Sequence, residues 1–599
     1  MSSIKTTSDH PGLNSLQPTS SGPTEPADTF GAPGFNATRS DATRSDGTSD
    51  RSGLLLRSDV PSDRVTSDRV TPDRNIPDRV TTRKPWTASQ NVLFRIAFVF
   101  FVIMALPNNW NWYKNAVSLD WLHLHYRDLY DLSRFSSGIT LFGNKLFGST
   151  LLGYAPWLIT FLFSMAVGVL WSAVARLRKP DPLPYNRNAG PLLYYWLRVI
   201  VRYRAGIGII GFGFTKLMPT QLPYPSLGLL NTNFGDLTAQ KIYWLSIGIV
   251  PWYEVFTGVV EVAAGVLLFF RATTFWGAVL LFGALADIVY VNFAYDGGVH
   301  GYSSYFVLLS GFLLIDYIPS LYNLLIRERF TVPFTYYPTF TGWQRYVRIG
   351  LKTATIGIFL VLLFWLQYVN FRYDPYKQPA QKGVPELRGN YNVTEFRLNG
   401  RVLPYSPLDS VRWQEATFEN WSTLTFRTNR AVPLDLSNGG GAPMRDLNRT
   451  FELTGVAGGQ RVFYYDADTK NHVLYLQDKY RPGGPRGEGG DEADAAKSQK
   501  LKPKAAAAQW IPADALATIG DEDSRIDPIA RSTRRTKGIN AERRRDVERN
   551  RMLLTYSTKD GSRVILSGIS ENKDSIYVVL DRVNRTYALS GSTLQAGLY

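Results

Sequence analysis

Glu261-Val-Ala-Ala-Gly-Val-Leu-Leu-Phe-Phe-Arg271-Ala-Thr-Thr-Phe-Trp-Gly-Ala-Val-Leu-Leu-Phe-Gly-Ala-Leu-Ala-Asp287 is the stretch on which the fold turns. Two apolar runs meet at a single arginine, and each run carries a carboxylate well away from it. About 20 helical residues cross a hydrocarbon core of roughly 30 Å. The stretch therefore reads as a membrane hairpin, turned at Arg271, with acids placed inside the bilayer.

Working outward, seven segments are long enough to span, at about 91–107, 151–175, 192–214, 242–270, 274–294, 302–326 and 347–370. The first is short and carries Arg95, and the fourth contains Pro251, which kinks it or marks a break near one end. Arg83, Lys84, Arg176, Arg178, Lys179, Arg187, Arg271, Arg327, Arg329, Arg345 and Arg348 fall on one side of such a bundle. The loops at 108–150, 215–241 and 295–301 are poorer in positive charge for their length. Cytoplasmic loops carry the excess of Lys and Arg, so the N-terminus is expected in the cytoplasm and everything after Arg372 outside. An odd number of spans agrees with this, since it puts the two ends on opposite sides.

The mean hydropathy of -0.13 blends this apolar middle with two polar regions. The formal charge of +16 collects beside spans and in one linker-like stretch, which argues against nucleic acid as a partner and for the lipid bilayer. With no cysteine, disulfides, thiolate metal sites and thiol redox relays are excluded. With five histidines in the whole chain, a multi-imidazole haem or zinc site is not expected, and no metal site is assigned.

Residues 1–88 are rich in Ser, Thr, Asp, Arg, Pro and Gly and bury too little surface to offset their conformational entropy. They read as a disordered cytoplasmic tail. Four five-residue units run through it, from Val60-Pro-Ser-Asp-Arg64 to Asn75-Ile-Pro-Asp-Arg79, either as a docking tail or as a tolerated repeat. Beyond the first span, the Trp-rich 108–150 loop reads as an outer cap, with His123 and His125 as a surface or interfacial pair on a helix.

Residues 89–371 make the transmembrane domain, and 384–599 an exported β domain. Its strands are read at Tyr391–Phe396, Ser422–Phe426, Arg449–Leu453, Arg461–Tyr465, His472–Leu476, Arg551–Tyr556, Arg563–Leu566 and Ser575–Leu580. That makes a small antiparallel barrel or sandwich. The fold class is thus a membrane all-α bundle plus a C-terminal all-β barrel-like domain. Residues 481–550 interrupt the strands with Gly-rich, acidic, Ala-rich and Arg-rich blocks. They read as a disordered insertion, or as one drawn to anionic headgroups. The opening Leu387-Arg-Gly-Asn-Tyr-Asn-Val393 and the hairpin order resemble a lipocalin-like domain. Such a barrel encloses a lipophilic ligand or is filled by its own side chains.

Ionisable residues in hydrocarbon cost several kcal/mol, so they face the bundle interior, pair, or mark function. The candidates here are Arg198, Arg202, Lys216, Glu254, Glu261, Asp287 and Asn292, with Arg204 and Asp316 nearby. One expectation is an interior cluster in which Arg202 meets Glu261 and Asp287, holding a polar head or relaying a proton. The other is that the charges pair to lock helices, with Arg198 snorkelling to the cytoplasmic interface.

Residues 192–318 resemble the DoxX family, a four-helix bacterial membrane module. The likeness lies in Arg202-Tyr-Arg-Ala-Gly206, Gly211-Phe-Gly-Phe-Thr-Lys-Leu217, the Glu261-to-Arg271 helix, and the closing helix with Asp287 and Asn292. The resemblance implies a bacterial inner-membrane protein, with the β domain in the periplasm, and an association with membrane redox chemistry. A quinone would be the cofactor, Arg202 or Lys216 a donor to it, and Glu261 or Asp287 a proton route. The chain shows no motif for a flavin, haem or iron–sulfur centre, so partner subunits would carry the electrons. Two other classes stay open, namely a non-enzymatic scaffold presenting a lipid- or protein-binding β domain, and a transporter using the Arg–Glu cluster.

Overall fold

The structure, a computed structural model, describes residues 86–587 apart from 136, 142–152, 178–188, 332–337, 376, 431, 433, 437–448, 481–509, 521–524 and 532–548. The N-terminal tail with its repeats lies outside the described residues, as does most of the Arg-rich block.

Helix α1 (Ala88–Ala105) starts at a capping box in which Thr87 and Gln90 satisfy each other's backbone N–H groups. It packs on α4 (Ala155–Leu177), where Gly168 brings the two backbones together; a Cβ there would stand 2.8 Å from the Ile96 nitrogen. The centre of the bundle is α5 (Ala189–Leu217), laid against α8 (Pro251–Phe269). Helix α9 (Thr274–Ala294) returns beside α8, and α10 (His300–Leu314) packs back on α9 and α5. The pair α10 and α11 (Ile318–Leu325) is bent by 67°. The last long helix, α12 (Trp343–Tyr373), lies on the outside of the bundle and contains a π-helical stretch at Gly357–Leu362.

By length and apolarity, α1, α4, α8, α9 and α12 can cross a membrane, and the bent α10–α11 pair makes a sixth if taken as one span. Seven were expected. The difference is α5, which is 29 residues long but carries Arg198, Arg202, Arg204 and Lys216. The expected fourth span is also shorter. Pro251 sits in the first turn of α8, where its missing N–H costs nothing, and α7 (Ala239–Gly248) is a separate helix before it.

The loop expected as an outer cap holds α2 (Trp110–Ser118) and α3 (Tyr126–Ser133). The segment between them is turn rather than helix. His123 is exposed beside Asp120, whereas His125 is buried and caps α3 by accepting from Arg127 N at 3.2 Å. Tyr126 Oη donates to the Gly211 carbonyl at 2.7 Å, pinning the cap to α5.

The β domain is a closed antiparallel barrel of eight strands, β1 (Gly389–Leu398), β3 (Glu415–Phe418), β4 (Thr423–Arg427), β5 (Gln460–Asp468), β6 (Val473–Asp478), β7 (Arg551–Thr558), β8 (Arg563–Ile569) and β9 (Ser575–Val583). Each pairs with the next, and β9 closes on β1. The two-residue β2 (Arg401–Val402) folds back on β1 through Asn399-Gly400, both at positive φ, the chemistry of a tight hairpin turn. Period-two alternation sends Met552, Leu554 and Tyr556 of β7 and Ile576, Val578 and Leu580 of β9 inward. Aromatics fill the middle; Trp413 stacks on Phe426 with ring centroids 3.8 Å apart. The barrel is therefore filled by side chains.

Two expectations for this domain change. Arg449–Leu453 is not a strand but a turn leading into the barrel–bundle junction, and the eighth barrel strand is β3, which the strand reading passed over. Within 481–550, expected to be disordered, the described residues 510–520 and 525–531 are folded onto the barrel. Ile511, ahead of helix α13 (Ala513–Gly520), and Ala515 and Ile519 on it are buried against Tyr475 of β6, and Arg525 lies 3.7 Å over the Tyr464 ring.

Candidate functional site

Glu254, Gly258, Glu261 and Gly265 recur at intervals of four, three and four, so they line one face of α8. That face meets Gly206 and Gly213 of α5. A Cβ at Gly258 would stand 2.2 Å from the Leu217 nitrogen, and one at Gly213 2.9 Å from the Val262 nitrogen. Small residues let membrane helices touch, and here they bring both carboxylates inside. Glu261 forms an ion pair with Lys216 in the last turn of α5. Glu254 is fully buried; its Oε1 accepts from Leu222 N at 3.0 Å, and its Oε2 has no partner among the described residues. Lys216 lies within electrostatic range of it.

The other candidates are not drawn in. Arg202 was expected to meet Glu261, but its Nη1 donates to Thr274 Oγ1 at 3.4 Å and its guanidinium stands 5.3 Å from the Tyr203 ring. The reason is depth, because Arg202 lies 14 residues before Lys216, about 21 Å along the helix. Arg198 pairs with Asp316 at 3.1 Å near the same end. Arg204 is buried, donates to the Ser133 carbonyl at 3.0 Å and lies 4.0 Å over Phe135. Asn292 donates to the Ile288 carbonyl of its own helix at 2.7 Å. Asp287 faces outward from α9 and makes no hydrogen bond or ion pair among the described residues. The interior charges mostly lock helices together; among the described residues Glu254 Oε2 and Glu261 Oε2 are buried without a hydrogen-bond partner, and Glu254 makes no ion pair.

A second polar cluster joins the barrel to the bundle, and none of its members was picked out from sequence. At the end of α12, Asp374 accepts two parallel hydrogen bonds from Arg449, both 2.8 Å, and one from Lys377 at 2.9 Å. Lys377 also donates to Asn370 Oδ1 at 2.5 Å. Lys479 at the end of β6 donates to Glu452 at 2.6 Å, and Trp421 Nε1 donates to the same carboxylate at 3.1 Å. Glu419, just past β3, accepts from the backbone N–H groups of Leu227 (3.2 Å) and Gly228 (2.8 Å), which open the single-turn α6 (Leu227–Leu230). Lys241 of α7 donates to the Phe451 carbonyl and lies 3.6 Å over the Phe451 ring.

The charged groups of this cluster are all buried. Burial, with the Glu452 charge next, pushes the Glu419 carboxyl up to about 7; burial pulls the Lys241 amine down to about 7, against the opposing pull of Glu452. The sequence signal was slight. Arg449 and Glu452 stand three apart in a segment whose alternation imitates a strand, and Asp374 and Lys377 stand three apart just after a long helix. No family model, curated protein or solved structure matches this chain.

Proposed function

We propose that this chain is a non-enzymatic membrane scaffold that holds a filled β-barrel in a fixed pose at the membrane surface, presenting the barrel's outside to protein or lipid partners. The observation that carries this reading is the buried ionic clamp around Asp374, Arg449, Glu419 and Lys241. A freely tethered module has no use for charges buried between it and its anchor, since each must find a partner to offset its desolvation. Its orientation follows the basic residues. Arg198, Arg202, Arg271 and Lys352 gather at the α8–α9 turn end, the side the charge bias assigns to the cytoplasm, and the barrel lies at the other. In this reading α5 crosses as a seventh span, its cations covered by Asp316, Thr274, Ser133 and Glu261.

The pose is testable because the chain has no cysteine. Spin labels on cysteines introduced at Leu177 and Thr558 should give one narrow distance distribution, broadened by Arg449→Ala. A broad distribution in the otherwise unchanged protein would overturn the scaffold reading. A second reading, the quinone-linked role implied by the DoxX resemblance, is favoured by the free Glu254 oxygen beside Lys216. It expects stoichiometric quinone in purified protein, weakened by Glu254→Gln or Arg202→Ala. The scaffold reading expects none.

A further inference from the structure

Asp287 is an ionisable residue in an apolar helix, and it points away from the protein. It lies 13 residues beyond Thr274 and seven before Ala294, so about 10 Å inside the end of α9 that leads to α10. Trp276, Leu280, Gly283, Asp287 and Tyr290 recur every three or four residues and form one outward face, with Trp276 and Tyr290 at 62% and 75% exposure. Gly283 lies one turn below Asp287, and nothing occupies the space where its Cβ would be. A helix laid on this face could approach closely at Gly283 and would meet the carboxylate one turn further on. Tyr243 of α7 is within electrostatic range of Asp287 but brings no cation.

We infer that this face of α9 binds a transmembrane helix of a partner protein that carries an arginine or lysine at the depth of Asp287. Charge complementarity chooses the occupant. A lone acid facing acyl chains is costly, and the short aspartate cannot reach far toward the headgroups. A second copy of this chain is the poorer source of that cation. Among the described residues, a copy inserted the same way brings exposed Arg372 only in the last turn of α12, at the barrel junction, and its other lipid-side cations lie toward the other end: Lys352 lies 4.2 Å over Phe270, beside the α8–α9 turn. Arg95 lies over Trp171, in the half of α1 far from Met104, whose carbonyl accepts from Tyr305 beside the α9–α10 turn. The proposal stands independently of whether the barrel is a platform.

The test uses the full chain in lipid vesicles with a labelled synthetic leucine-rich transmembrane peptide bearing one arginine in the half matching Asp287. Two control peptides carry leucine at that position, or the arginine in the other half. Energy transfer to a dye on the barrel should show the matched peptide binding about tenfold more tightly than either control. Asp287→Asn should erase the preference, and Asp287→Glu should keep it. Equal binding of the three peptides would overturn the proposal, as would a preference that survives Asp287→Asn. Dimers of the chain alone that Asp287→Asn dissolves would overturn it in favour of a second copy.

Discussion

Arg449 grips both carboxylate oxygens of Asp374, each at 2.8 Å, across 75 residues of sequence and across the boundary between barrel and bundle. Its side chain is fully buried and that of Asp374 nearly so. Breaking a buried pair from one side strands the other charge, so Arg449→Ala is expected to cost about 3–5 kcal/mol. Asp374→Asn should cost a similar amount, and the double variant clearly less than the sum, because the two changes remove one interaction. Denaturant unfolding of the detergent-solubilised protein measures all three. Single losses below about 1 kcal/mol would mean that the clamp holds nothing.

Glu419 gives the junction a pH dependence of known sign. Its folded carboxyl titrates near 7, above the ordinary 4.5, so the folded state holds a proton that the unfolded state has lost. The stability it contributes is fully present below 4.5 and is lost as pH rises toward 7. Lys241 acts in the other window. Its amine, near 7 rather than 10.5, makes the fold gain stability as pH rises from 7 to 10.5. Glu419→Gln should remove the fall between 4.5 and 7, a change of up to about 3 kcal/mol, and leave the upper window alone. Melting midpoints of the two proteins across both windows decide it; parallel curves would exclude the role given to Glu419.

Two glycines separate packing from exposure. At Gly258 an added methyl would press on the Leu217 backbone, so Gly258→Ala should destabilise the bundle by about 1–3 kcal/mol. At Gly283 it would meet nothing, so Gly283→Ala should be neutral or slightly stabilising in the isolated protein through helix propensity. Thermal unfolding of the two variants side by side gives the comparison.

The barrel core rests on its aromatic stack. Trp413→Ala, which removes the ring lying on Phe426, should cost about 3–5 kcal/mol. Amide exchange in β4 and β5 should rise with it, whereas exchange in α5 and α8 should not.

The parts legible in the sequence were those set by local periodicity. Apolar length marked α1, α4, α9 and α12, and the strand pattern marked β1 and β4 to β9. Glu415–Phe418 was hidden because Ala416, Thr417 and Phe418 are all buried, which leaves no polar face to count. Arg449–Leu453 misled for the opposite reason: its alternation is real, but its charged side chains are pulled into the junction. Within the bundle, residue type was readable and partner was not. Glu254 and Glu261 were correctly placed on one face, yet pairing depends on depth along α5, which puts Lys216 rather than Arg202 beside Glu261. The junction stayed out of sight because its contacts join residues as far apart as Leu227 and Glu419, with no local pattern to announce them.

The closure of β9 onto β1 also sets a schedule. The first barrel strand to leave the ribosome pairs with the last, so its edge stays open until Ser575–Val583 has been made. The α6 N–H groups wait for Glu419, synthesised some 191 residues later than Gly228. The helices can insert one after another as they emerge, and the clamp partners are all made by Lys479, but the barrel seals only with Ser575–Val583. A ribosome stalled before β9 would leave a membrane-inserted protein with an unsealed sheet, which is the form most open to proteolysis and to pairing with a neighbour.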